Sequence, residues 1–153
     1  MTMDLTELIA REDIRELAAA YAHAADGGRF DDLLALFTPD GSLQVDDRPP
    51  LVGPDAIRGF LGGTQTSVQD TAKQRGYIRH HVTSHSITVD GPDAAHGAAY
   101  FFVVTERGPD HWGRYRDRYV LHEGRWRFAS RRVRVDGMAP GSWAAERRAA
   151  KTS

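Results

Sequence analysis

The chain has 153 residues, with 20 lysines and arginines against 21 aspartates and glutamates and a formal net charge of −1. This balance excludes a global bias toward nucleic acid or an anionic membrane, and the length suits one domain with a real core. No cysteine is present, which excludes disulfides, thiolate metal sites and a cysteine nucleophile.

The N-terminal MTMDLTELIARED is acidic and lacks a basic start followed by an apolar run, so no signal peptide is expected. No apolar run approaches the ~20 residues of a membrane span, and the expected location is cytoplasmic. Asp4 or Thr6 is placed to cap a first helix running to about Ala25, with Glu7 near its positive end. Leu5, Ile9, Ile14, Leu17 and Tyr21 recur at mostly helical spacing and predict one buried stripe. Ala18, Ala22 and Asp26 form a second line: two small residues that permit close approach, then a carboxylate. Gly27 and Gly28 stop the helix. Asp31 is a candidate cap for a short second helix that buries Leu33, Leu34 and Phe37. Thr38-Pro39-Asp40-Gly41 predicts a turn, Ser42 to Val45 a short strand, and Asp46 to Val52, with its two prolines, a loop. Pro54 opens a third short helix, with Ile57, Phe60 and Leu61 inward, that ends at Gly62-Gly63. Thr64 to Gly76 is polar and aperiodic and is predicted to be a mobile loop of the kind that often forms lids.

After Tyr77 four β-rich segments follow: Ile78 to Val89, Ala94 to Glu106, His111 to His122 and Arg125 to Val135. The short connections Asp90–Asp93, Arg107–Asp110 and Glu123-Gly124 predict an antiparallel meander. Helices first and long strands second is an α+β order, with helices on one face of a curved sheet. The tail from Ser142 reads as a helical arm or as disordered. The expected organisation is a single domain over 1–153, with a core of about 5–136 and a tail of 137–153.

Few residues stand out chemically. Asp26, in the last turn of a helix, meets the negative end of the dipole; it is a pocket acid or a solvated turn residue. His80, His81 and His85 cluster, but His81 and His85 lie roughly 13 Å apart on a strand and His80 and His81 point to opposite faces. No metal site is expected. One of His80 and His81 must face the helices, as half of an acid–histidine pair or as a satisfied core residue. Along Gly113–Tyr119, Tyr115, Asp117, Tyr119 and Leu121 share a face, while Arg114, Arg116, Arg118 and Val120 share the other. Asp117 is costly there unless hydrogen-bonded or neutral. Trp126 and Phe128 point inward; a bulge would bring Arg131 to the same side, and Arg132 arrives there without one. Hydrolase nucleophile elbows, P-loops and dinucleotide fingerprints are absent.

YAHAADGGRFDDLLALFTPDG, GPDAIRGFL, RHHVTSHSITVDG and GRYRDRYVLHEGRWRFASRRV together resemble the SnoaL-like family of the nuclear-transport-factor-2-like superfamily. The resemblance covers roughly Leu5 to Asp136. It implies a cone-shaped, strongly curved antiparallel sheet packed on three N-terminal helices around a deep apolar pocket. Scytalone dehydratase, ketosteroid isomerase, polyketide cyclases and hexachlorocyclohexane dehydrochlorinase belong to this superfamily. Asp26 and His80 stand where the dehydratase and dehydrochlorinase carry an Asp-His dyad, and Tyr21 stands at the oxyanion tyrosine of ketosteroid isomerase. Val45 replaces that enzyme's aspartate base. Asp117 and Arg131 match positions often kept in SnoaL-like sequences.

The resemblance therefore implies a cofactor-independent lyase, isomerase or cyclase that abstracts a proton from a small hydrophobic, ketone-like substrate. Asp26, His80 and Tyr21 are the expected catalytic residues; Asp117, Arg131, Tyr115, Tyr119 and Phe37 are expected to bind substrate. The alternatives are a non-catalytic pocket for a hydrophobic ligand and a protein-interaction module. The expected partner is a small hydrophobic molecule, not nucleic acid or membrane, with a homodimer or other homo-oligomer implied by analogy.

Overall fold

The computed structural model describes residues 2–72 and 76–153, with 64–72 described by backbone alone. Helix α1 (Leu5–Asp26) is capped by Asp4, whose carboxylate accepts the Glu7 amide at 2.8 Å. Its buried stripe is Ala10, Ile14, Leu17, Ala18 and Tyr21. Leu5 and Ile9, predicted to be buried, are 70% and 53% exposed, because they lie on the side of the helix away from the Ala10–Ile14–Leu17 stripe.

Helix α2 (Phe30–Leu34) starts one residue before the predicted cap, with Arg29 at the cap position and no side-chain bond. Gly28 adopts φ 66°, which turns the chain back so sharply that the Arg29 amide still bonds the Ala24 carbonyl at 2.9 Å. Asp31 lies instead in the first turn, where its charge suits the dipole. Strand β1 (Phe37–Val45) absorbs the predicted turn at 38–41. Phe37 pairs with Phe128 and Ser42 with Ser130, so the Thr38–Gly41 run is accommodated as a bulge. A side chain at Gly41 would sit within 2.9–3.1 Å of Thr38 O, Phe37 Cβ and Phe128 O, so only glycine fits there. Strand β2 (Leu51–Val52) pairs with β1 inside the predicted loop.

Helix α3 (Pro54–Ala72) begins as predicted but runs through Gly62-Gly63. Both glycines face open space, where glycine costs about 1 kcal/mol against alanine without breaking a helix. The predicted loop is therefore helical to Ala72, and its residues 73–75 lie outside the described residues. Strands β3 (Ile78–Val89), β4 (Ala94–Thr105), β5 (Gly108–His122) and β6 (Arg125–Met138) form the predicted meander. Gly108, at φ 99°, tightens the β4–β5 turn to Glu106-Arg107, so β5 starts earlier than expected. The tail forms helix α4 (Trp143–Thr152).

The sheet order is β2-β1-β6-β5-β4-β3, with β1 parallel to β6. The curved sheet and its helices bury one main cluster, including Ile14, Leu17, Leu33, Leu43, Ile57 and Phe128, and a second around Ala99, Phe101, Val103 and Tyr115. Each fully buried large side chain contributes on the order of 1.5–3 kcal/mol. On β5, Tyr115, Asp117 and Tyr119 are buried and the arginines exposed, as predicted. Leu121 is 40% exposed, because it lies at the hairpin end past the core. Among the described residues no helix is long and apolar enough to cross a membrane.

Candidate active site

The last residue of α1 faces the start of β3. Asp26 accepts two hydrogen bonds from one residue, the His80 amide at 2.9 Å and His80 Nδ1 at 2.5 Å. The small side chains of Ala18 and Ala22 are buried along the line that leads to Asp26, and α1 packs on β3. A carboxylate at a helix C-terminus lacks the help of the dipole. Here two N–H donors take its place, with both side chains largely buried at 12% and 18% exposure. With the Nδ1 proton committed to Asp26, Nε2 is the ring nitrogen left to act on a ligand. Among the described residues it has no hydrogen-bond partner.

His80 and Asp26 line a cavity of about 400 Å³. Its walls are mostly apolar: Leu43, Phe60, Phe101, Tyr115, Val133 and Val135, closed on one side by Trp143 and Arg147 of α4. Tyr21 also lines it. Burial raises the Tyr21 pKa above its ordinary value of 10.0, against a smaller opposing pull from Arg131, so its hydroxyl stays protonated and able to donate. A larger hollow of about 740 Å³ lies on the outer face of the sheet, among Ser42, Gln44, Thr88, Arg116, Arg118 and Arg132. Its lining side chains are largely polar or charged and none belongs to the dyad, so the apolar cavity is the candidate site. Among the described residues no three histidines or carboxylates are grouped to hold a metal ion.

Beneath the cavity lies a polar knot. Arg131 donates from Nε and Nη2 to both Asp117 oxygens at 2.9 and 2.8 Å, with both side chains fully buried. The guanidinium sits 3.8, 4.3 and 4.4 Å from the ring centres of Tyr115, Tyr21 and Phe128. Its Nη1 has no partner among the described residues. Burial opposes the Arg131 charge, but the Asp117 charge and hydrogen bonds reverse this and hold the arginine firmly protonated. Tyr119 donates to Asp117 at 2.9 Å. Its proton is thereby spent, so His85 Nε2–H donates to the Tyr119 oxygen at 3.0 Å.

The profile of the SnoaL-like domain matches residues 6–132. The chain belongs to this family. Solved structures share the fold of this SnoaL-like chain. A putative scytalone dehydratase from Novosphingobium aromaticivorans is 22% identical, over 90% of this chain and 91% of its own, with a TM-score of 0.78. A protein from Catenulispora acidiphila, solved in complex with S-DNPA, is 27% identical over 84% and 95% of the two chains, with a TM-score of 0.72. LinA is 16% identical over 90% and 95%, with a TM-score of 0.75. No curated protein sequence matches the chain.

Within this SnoaL-like domain, Asp26, His80, Tyr21 and Tyr115 come together on the cavity wall. Asp117, Arg131, Tyr119 and Phe37 do not line that cavity; they are packed in the layer beneath it. Of the two arginines that could turn inward, the bulged alternative holds: Arg118 pairs with Ser130 and Tyr119 with Phe128, Arg131 is buried and Arg132 is exposed. His81 faces outward, with Nδ1 near the Phe102 carbonyl at 3.3 Å. The sequence reading passed over His111, Phe101, Trp143 and Arg147, all of which line the cavity. His111 shares the odd-numbered parity of Tyr115 and Asp117, and that alternation, extended backward, would have found it.

Proposed function

We propose that this SnoaL-like protein is a cofactor-independent enzyme that removes a proton from the carbon beside a carbonyl of a small hydrophobic substrate. The observation that supports this most is the bond of 2.5 Å from His80 Nδ1 to Asp26 in the wall of a mostly apolar cavity. His80 Nε2 takes the proton as general base. The positive charge that grows on the imidazole is compensated by Asp26, whose other oxygen remains bound to the His80 amide. The Tyr21 hydroxyl donates to the developing enolate oxygen. The apolar walls exclude water and strengthen each of these interactions. Family membership supports chemistry of this class; elimination, isomerisation and ring closure all begin with this step. That a 27% identical relative has been solved in complex with S-DNPA supports a ligand site in this fold.

The step is tested by α-proton exchange of 1-tetralone in D2O, followed by NMR. The wild type should accelerate exchange over buffer, and Asp26→Asn and His80→Ala should each lose at least ~100-fold, the usual worth of a general base. Exchange at wild-type rate in either variant would remove the dyad from the reaction and leave a ligand-binding cavity.

A further inference from the structure

The hollow on the outer face of the sheet shares no residue with the dyad, and strand register gives it a definite architecture. Arg114, Arg116 and Arg118 alternate outward along β5. Arg116 lies directly across from Arg132 on β6, and Arg118 across from Ser130. Farther out, Gln44 of β1 pairs with Arg132 and Ser42 with Ser130, while Ala98 of β4 pairs with Arg116 and His96 with Arg118. Two adjacent rows result. Small side chains at Ser42, Ser130 and Ala98 leave room between the longer arginines, and the space they leave is the hollow of about 740 Å³. An adjoining recess of about 180 Å³ is lined by Arg114, Arg116, Arg132 and Arg134 alone. The nearby acids are engaged elsewhere. Asp136 takes Arg114, Asp47 takes Arg134, and Asp90 binds His96. Asp117 stands between Arg116 and Arg118 in sequence, but its carboxylate is fully buried on the opposite face with Arg131. Arg116, Arg118 and Arg132 therefore have no acidic partner among the described residues.

We propose that this hollow binds the diphosphate group of a small molecule, at a site separate from the apolar cavity and independent of its chemistry. The planar fork of a guanidinium matches two oxygens of a phosphate, and three such forks without acidic partners line this one recess. The charges also match. A phosphate monoester carries about −1.5 to −2 near neutral pH, so one phosphate or carboxylate leaves part of the cluster unbalanced and a diphosphate balances it. Like charges held opposite each other on paired strands are destabilising, and a polyanion between Arg116 and Arg132 relieves that repulsion. The hydroxyls of Ser42, Ser86, Thr88 and Ser130, which also line the hollow, can donate to the oxygens that the arginines do not reach. The ligand is small because the floor is recessed: a flat protein surface would meet only the arginine tips. In the next row Tyr100, 61% exposed, pairs with Arg114, about 7 Å along the strand from Ala98. Its ring is within reach of a planar group attached to the diphosphate, so free diphosphate and a nucleotide share the chemistry that the arginines recognise.

The test is calorimetric titration of the protein with inorganic pyrophosphate in about 0.1 M sodium chloride. The wild type should show saturable binding at one site per chain. Arg116→Thr and Arg132→Gln should each weaken it at least ~10-fold, the usual worth of a hydrogen bond to a charged group. Arg125→Gln removes the same charge from an exposed position outside the hollow and should bind as the wild type does. Absence of saturable binding, or an equal loss in Arg125→Gln, would overturn the site and leave only diffuse surface charge. The melting temperature gives a reading in the wild type alone. At equal ionic strength pyrophosphate should raise it above the value in sodium chloride; an equal value would mean screening without binding and would overturn the proposal. ADP should displace pyrophosphate, and failure to compete would overturn the assignment of the diphosphate. Tighter binding of ADP that is lost in Tyr100→Ala identifies a nucleotide as the source of the group, and binding equal to that of pyrophosphate identifies the free diphosphate.

Discussion

His85 is a histidine placed where a positive charge is unwelcome. It sits on β3 against the Tyr119 hydroxyl, and its pKa lies below the ordinary 6.5, first because of burial and further because of Arg131 and Arg15, with Asp117 opposing. Near pH 6.5 the unfolded chain takes up a proton that the folded chain refuses until lower pH. The stability this contributes is therefore present above that value and lost as pH falls through the folded-state pKa. His85→Gln keeps a donor for Tyr119 and removes the titration. Between about pH 6.5 and 5, the urea midpoint of the wild type should fall more steeply than that of the variant. Parallel falls would show that His85 is not the group responsible. At this scale Asp26 and His80 were legible from the family resemblance, because both stand in quoted motifs. His111 stands in none of those motifs, and only the alternation of Tyr115 and Asp117, carried back along β5, marks it.

The β5–β6 hairpin depends on a close approach that one residue type permits. At Gly113, where the pairing shifts register, an added Cβ would overlap the Arg134 carbonyl oxygen and come within 2.9 Å of the Phe101 ring. Gly113→Ala should lower stability by about 1–3 kcal/mol, as overpacking does, read as the urea midpoint. Gly59→Ala, in the interior of α3 with nothing within 4 Å, should instead raise it by up to ~1 kcal/mol from helix propensity. Equal midpoints for the two variants would mean that backbone contact at Gly113 is not limiting. Elements whose signal is periodic were legible: α1, α3 at its start, and the four long strands. The errors came at glycines and prolines, which carry one letter for several outcomes. Gly62-Gly63 looked like a stop and lies within a helix. Thr38-Pro39-Asp40-Gly41 looked like a turn and is a bulge, since pairing with β6 takes up the extra residues.

Across the whole molecule, charge is distributed unevenly although the sum is near zero. On the outer sheet face Arg114 stands opposite Arg134 and Arg116 opposite Arg132. Arg134 reaches Asp47 at 2.9 Å and Arg114 reaches Asp136 at 3.3 Å; Arg116 and Arg132 have no partner among the described residues. Like charges directly across a strand pair are destabilising, and salt screens them within about 10 Å at 0.1 M. The melting temperature should therefore rise between about 20 mM and 0.5 M sodium chloride, and Arg116→Thr should raise it at low salt and flatten the rise. A variant with the salt response of the wild type would show that the repulsion is already relieved. The helices-then-meander order made the α+β architecture legible from the sequence. The parallel β1–β6 pair was not, because short connections reveal neighbours in sequence only.

That pair also sets the order in which the protein becomes functional. The four strands from Ile78 to Met138 join by tight local turns and need little chain closure, whereas Phe37 finds Phe128 only across most of the molecule. Tyr21 and Asp26 come from the first helix, His80 and His111 from the meander, and Trp143 from the last helix. The meander by itself carries His80, Phe101, His111 and Tyr115 of the cavity wall. The cavity is complete only once α1 and α4, from opposite ends of the chain, cover that wall.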